Sequence, residues 1–158
     1  MTFEVIARRP RPGVGWRHRK PKEDIPMPNV RMLRLALLGD AAACAACGVV
    51  LAAGAGTLAG PLGLPEPLLR WVGLGLLPWA AFVGLVGWPA IPARRAAWAI
   101  VVLNGLWVLD SLLLAAGAFG LAPTGLGIAL ILAQAALGGG FAVAQALALR
   151  PAPAERVA

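Results

Sequence analysis

Four long apolar runs constrain this chain more than any other feature. They cover about Met32–Ala53, Leu68–Trp88, Ala96–Ala118 and Gly125–Leu149. At about 1.5 Å per residue, each is long enough to cross a hydrocarbon layer of about 30 Å. Lipid offers a bare backbone no hydrogen bonds, so each run is predicted to be an α-helix. The gaps between them carry turn signals: Gly60-Pro61-Leu62-Gly63-Leu64-Pro65, Trp88-Pro89-Ala90-Ile91-Pro92 and Gly120-Leu121-Ala122-Pro123. The expected fold is all-α, a transmembrane four-helix bundle over residues 32–150. A short C-terminal tail, 151–158, follows it.

Composition excludes the soluble alternative. Apolar residues make up 59% of the chain and charged ones only 13%. A soluble domain carries about 25% charged residues, and this chain has too few to cover so much apolar surface.

The net charge of +7 is unevenly placed. Nine of the fourteen Lys and Arg residues lie between Arg8 and Arg34, directly before the first apolar run. Residues 1–31 read as a disordered basic tail, because Pro10, Pro12, Pro21, Pro26 and Pro28 interrupt any helix and no apolar period appears. Met27 and Met32 are alternative start positions within this stretch. A cleaved signal peptide is not expected, since the first run is long and contains Asp40. No nucleic-acid-binding motif accompanies the charge, so the expected partner of the tail is the anionic head-group surface of a lipid bilayer. In a four-span arrangement, thirteen of the fourteen basic residues fall on one side, Arg70 being the exception. The positive-inside rule makes that side the cytoplasm, with both termini in it. The expected location is a bacterial inner membrane, the high Arg, Ala, Gly and Pro content suggesting a GC-rich bacterial genome. Trp71, Trp88 and Trp98 fall near the expected membrane interfaces, where amphipathic rings belong.

Polar residues within the runs are the candidate site. Ionisable side chains in a membrane helix are costly and suggest function by default. Asp40 and Asp110 are the two clear cases. On the third run, Asn104, Trp107, Asp110 and Ser111 fall within an arc of roughly 120° at about 100° per residue. On the fourth, Gln134, Gly138, Phe141 and Gln145 share a face, and on the first Asp40 shares one with Cys44 and Cys47. Depth along the helices divides these into two expected interior layers. One joins Asp40 to Gln145 or Asn104, and the other joins Asp110 to Gln134. Interhelical hydrogen bonds of this kind contribute about 0.6–2 kcal/mol each, which is a structural role. A further option for Asp40 is an ion pair with Arg34 or Arg150. Gly84, Gly87 and Gly138 to Gly140 offer smooth surfaces for close packing, and Pro78 is expected to bend the second helix.

Other chemistry is thinly represented. Cys44-Ala45-Ala46-Cys47 has redox spacing but sits mid-helix among alanines, where cysteine acts as a small apolar residue. No second cysteine pair exists, and the single histidine, His18, lies in the tail, so no metal site or cofactor is expected. Phosphate loops and hydrolase triads are absent.

The stretch from Ala99 to Ser111, with its Leu103-Asn104-Gly105-Leu106-Trp107 core, resembles a family of small bacterial four-span integral membrane proteins of uncharacterised activity. The stretch from Leu126 to Ala135, with its Gln134-Ala135 step, carries the same resemblance. It covers residues 32–150 and implies the four-span fold without an activity. The layout is also similar to small multidrug exporters, which carry one acidic residue in helix one. Those use glutamate where this chain has Asp40, and they lack its charge bias.

Three functions are carried forward as expectations. The first is a structural or accessory membrane protein without enzymatic activity, whose partner is a second copy or another membrane protein. The second is a proton-coupled small-solute or multidrug-type transporter using Asp40 or Asp110. The third is a membrane redox protein using Cys44 and Cys47.

Overall fold

The computed structural model describes residues 29–150. Of the tail expected at residues 1–31, residues 1–28 lie outside the described residues, as does the tail at 151–158, whereas Val30 and Arg31 already belong to the first helix. The described chain forms α1 (Val30–Leu62), α2 (Glu66–Gly87), α3 (Arg94–Ala115), a short 3-10 turn (Ala118–Gly120) and α4 (Gly125–Leu149). The four long helices are each long and apolar enough to cross a membrane. They form a helical bundle with no strand among the described residues.

Helix α1 departs most from expectation. It continues past Ala53 to Leu62 and has 33 residues, about 50 Å of helix. The Gly60–Pro65 cluster marks its end rather than a loop beginning at Gly54. Pro61 sits in the last turn, where its missing N–H costs one hydrogen bond. The helix then stops on Gly63, which takes the left-handed conformation (φ 65°) that glycine adopts without steric cost. Gly63 N donates to Gly60 O and Leu64 N to Ala59 O, both at 3.1 Å, and Leu64 is buried beside this cap. Helix α3 ends at Ala115, short of the expected Ala118, because Gly117 is left-handed (φ 80°). Helix α2 runs unbroken through Pro78.

Short connections make sequence neighbours antiparallel. Val30, Gly87, Arg94 and Leu149 therefore share one end of the bundle, here termed the terminal end. Leu62, Glu66, Ala115 and Gly125 share the other, the loop end. Helix α1 is central, packing against α2 on one side and α4 on the other. Helix α3 packs on α4 and barely touches α2.

The tightest packing is where backbone meets backbone. A Cβ on Gly73 of α2 would lie 2.4 Å from Ala52 N and 2.8 Å from Gly48 O of α1. A Cβ on Gly87 would lie 2.9 Å from Leu37 Cβ, but Gly84, Gly138, Gly139 and Gly140 have ordinary clearance or open space. Of the glycines expected to permit close packing, Gly87 alone does so.

The two ends are secured differently. At the terminal end Arg34 of α1 reaches across to the end of α2, donating to Trp88 O at 3.1 Å and Gly87 O at 3.4 Å. Arg94 of α3 donates to Leu149 O at the end of α4, at 3.3 Å. Each guanidinium satisfies carbonyls that the helix itself leaves free, at the end where the helix dipole favours positive charge. The ion pair of Asp40 with Arg34 or Arg150 is not formed, since Arg34 is committed to these carbonyls. At the loop end Thr124 caps α4, its Oγ1 accepting from Gly127 N at 3.1 Å. The same hydroxyl donates to Pro61 O at 2.6 Å, and Thr124 N donates to Leu62 O at 3.0 Å. The end of α1 is thereby tied to the start of α4. Trp71, Trp88 and Trp98 are exposed near helix ends.

Candidate functional site: a polar node and two cavities

Asp40 lies ten residues into α1 and is 2% exposed. Its position follows the apolar period of Leu33, Ala36, Leu37 and Ala41, which faces the bundle. One carboxylate oxygen, Oδ2, accepts from Asn104 Nδ2 of α3 at 2.7 Å and from Gln145 Nε2 of α4 at 2.9 Å. The other, Oδ1, accepts from the thiol of Cys44 at 3.5 Å. One side chain thus links three helices, and all its contacts are donors, as a carboxylate requires. Asn104 and Gln145 are buried with it. The remaining amide oxygen, Gln145 Oε1, is buried and accepts nothing among the described residues.

The first expected layer, Asp40 with Gln145 or Asn104, is present, with both amides engaged at once. The second is not. Asp110 is exposed and has no hydrogen-bond or ion-pair partner among the described residues. Gln134 instead accepts from the thiol of Cys47 at 3.0 Å. Ser111 is buried, with its hydroxyl turned back onto Trp107 O at 2.7 Å within α3. The cause lies in the packing of α3. It rests mainly on α4, so its buried face is narrow, with Ala97, Ile100, Asn104 and Ser111 inside it. Asp110 sits one residue, about 100°, around the helix from Ser111 and falls outside that face.

Between the helices lies a cavity of about 830 Å³. Its polar wall includes Asp40, Asn104, Cys44, Cys47 and Gln134. Trp79, Trp107 and Phe141 contribute aromatic surface, and aliphatic side chains from all four helices complete it. A second cavity, about 410 Å³, lies toward the loop end and is lined by Asp110, Ser111, Gln134 and Phe119 among others. Neither cavity was legible from sequence, because both depend on how little α2 and α3 touch.

Both cysteines are free thiols. Each is accounted for by an acceptor on its own or a neighbouring helix, Asp40 for Cys44 and Gln134 for Cys47. The described residues contain no cluster of three or more His, Cys, Asp or Glu placed to hold a metal ion.

Comparison with protein-family models, curated proteins and solved structures returned no match.

Proposed function

We propose that this chain is a small non-enzymatic integral membrane protein, a structural or accessory component of a bacterial inner membrane, with both termini in the cytoplasm. The observation that carries this reading is the engagement of Asp40. Its oxygens accept from Asn104, Gln145 and Cys44, so the costliest group in the bundle is spent on holding helices together. The orientation rests on the thirteen of fourteen basic residues that fall on one side of a four-span chain. Anionic head groups are the natural neighbours of that side.

A second reading, a proton-coupled transporter of a small solute, is favoured by one observation. Asp40 and Asn104 stand in the wall of the larger cavity. Proteoliposomes carrying the wild type, Asp40→Asn or Asp110→Asn decide between the two. The accessory reading expects no pH-driven flux from any of them. A flux in the wild type that either folded variant abolishes would replace it with the transporter. Orientation is read separately by placing single cysteines at Ala90 and Thr124 in a Cys44→Ala, Cys47→Ala background. An impermeant maleimide on spheroplasts is expected to label the Thr124 position and spare Ala90.

A further inference from the structure

Asp40 has a structural task in this bundle, whereas Asp110 has none. Asp110 lies roughly 24 Å along α3 and about 7 Å before its end, at 1.5 Å per residue. A carboxylate in a membrane-crossing helix is costly, and no side chain among the described residues offsets that cost. Its position on the wall of the smaller cavity suggests what does.

The two cavities adjoin. They share Leu51, Val72, Trp107, Leu130 and Gln134 as lining residues. Along α1 the larger extends from Asp40 to Leu58 and the smaller from Leu51 to Leu62, so they overlap along the bundle axis. The terminal end is closed by a buried cluster drawn from all four helices, with Leu33, Leu37, Val83, Ile100 and Leu149 at its centre. The buried cluster toward the loop end comes from α1, α2 and the turn between them, and only half-buried side chains of the other elements, Trp107, Leu114, Leu121 and Ile131, pack against it. The result is a groove closed at the terminal end and open where α2 and α3 barely touch, with Val50, Leu103, Leu137 and Phe119 of its lining exposed.

Charge defines what fits it. Among the described residues no Lys or Arg lines either cavity, and Asp40 and Asp110 are the only charged groups. Asp40 already accepts from three neutral donors, so Asp110 is the carboxylate left without a protein partner among the described residues. Trp107 and Phe119 line the cavity of Asp110, and aromatic faces attract cations. Phe119 is also held at φ 66°, a conformation uncommon for a bulky residue, at this wall. Val50, Leu76, Leu103 and Leu137 make the larger cavity apolar.

We propose that the adjoining cavities form one open-sided pocket, closed at the terminal end, for a monocationic amphiphile. Its ammonium head lies beside Asp110 and its apolar body extends into the larger cavity toward Asp40. An anionic amphiphile meets two carboxylates there, and a neutral one leaves Asp110 uncompensated. This goes beyond an accessory role and is independent of transport, since a bound ligand need not cross the membrane.

The test uses the full chain in nanodiscs of zwitterionic lipid, with tryptophan emission as the readout and empty nanodiscs as the partition control. The probes are decyltrimethylammonium, decanol and decyl sulfate. Saturable binding of the ammonium alone is expected, with Trp107→Phe losing most of the signal. Asp110→Asn is expected to weaken the ammonium at least about tenfold, a modest fraction of one part-screened charge contact. Equal saturation by ammonium and decanol would overturn the proposal, as would an Asp110→Asn variant that binds like the wild type. Should that variant fail to fold, the order of the three probes on the wild type decides alone.

Discussion

Asn104 of α3 donates from Nδ2 to Oδ2 of Asp40 on α1, at 2.7 Å and with both residues buried. Gln145 of α4 reaches the same oxygen. Asp40→Leu would leave two buried amides without their acceptor, at about 1–3 kcal/mol each. Asp40→Asn is milder. Its amide N–H can donate to Gln145 Oε1, which accepts nothing among the described residues, once that amide turns. Thermal unfolding of the purified protein in detergent is expected to rank wild type above Asp40→Asn, and Asp40→Asn well above Asp40→Leu.

Gly73 and Gly75 are two residues apart on α2 and make a controlled pair. A Cβ at Gly73 meets the backbone of α1, which cannot move aside as a side chain does. Gly73→Ala is expected to lose about 1–3 kcal/mol, or more if the α1–α2 contact parts. Gly75 has open space, so Gly75→Ala is expected to be neutral or stabilising by up to ~1 kcal/mol. The same unfolding assay reads both, and equal effects would contradict the close backbone approach.

Thr124 joins two elements with one hydroxyl. Thr124→Ala removes the cap of α4 and the tie to Pro61 O of α1. A loss of about 1–2 kcal/mol is expected. Faster amide hydrogen exchange near Gly127 and Leu64 would place that loss at the loop end.

Arg34 and Arg94 serve in two ways that a substitution can separate. Lysine keeps the positive charge on which the proposed orientation rests but lacks the planar fork that reaches the carbonyls of Gly87 and Trp88. Arg34→Lys is therefore expected to leave maleimide labelling unchanged while lowering stability by about 0.5–1.5 kcal/mol.

Much of this architecture was legible in the sequence. Continuous apolar runs marked α2, α3 and α4 to within a few residues, since lipid leaves the backbone no other form. The polar face of α1 and the Asp40 layer followed from helical periodicity and depth. The length of α1 did not, because Gly54, Gly56, Gly60 and Pro61 look like a loop. Only the cap geometry at Gly63 and the packing beneath it reveal that the helix continues. Asp110 was misplaced for a related reason. Periodicity gives a face but not its width, and the width depends on how many neighbours a helix has. With α3 resting mainly on α4, a residue one step off the buried stripe becomes exposed.

Asp40 organises the core by serving Asn104 and Gln145 together. A mutant cycle in which each of the three is replaced by leucine, singly and all at once, tests it most directly by unfolding free energy. Strong non-additivity is expected: Asp40→Leu alone is costly, and the triple variant recovers much of that loss because no unpaired amide remains. Losses that simply add across the three positions would contradict it.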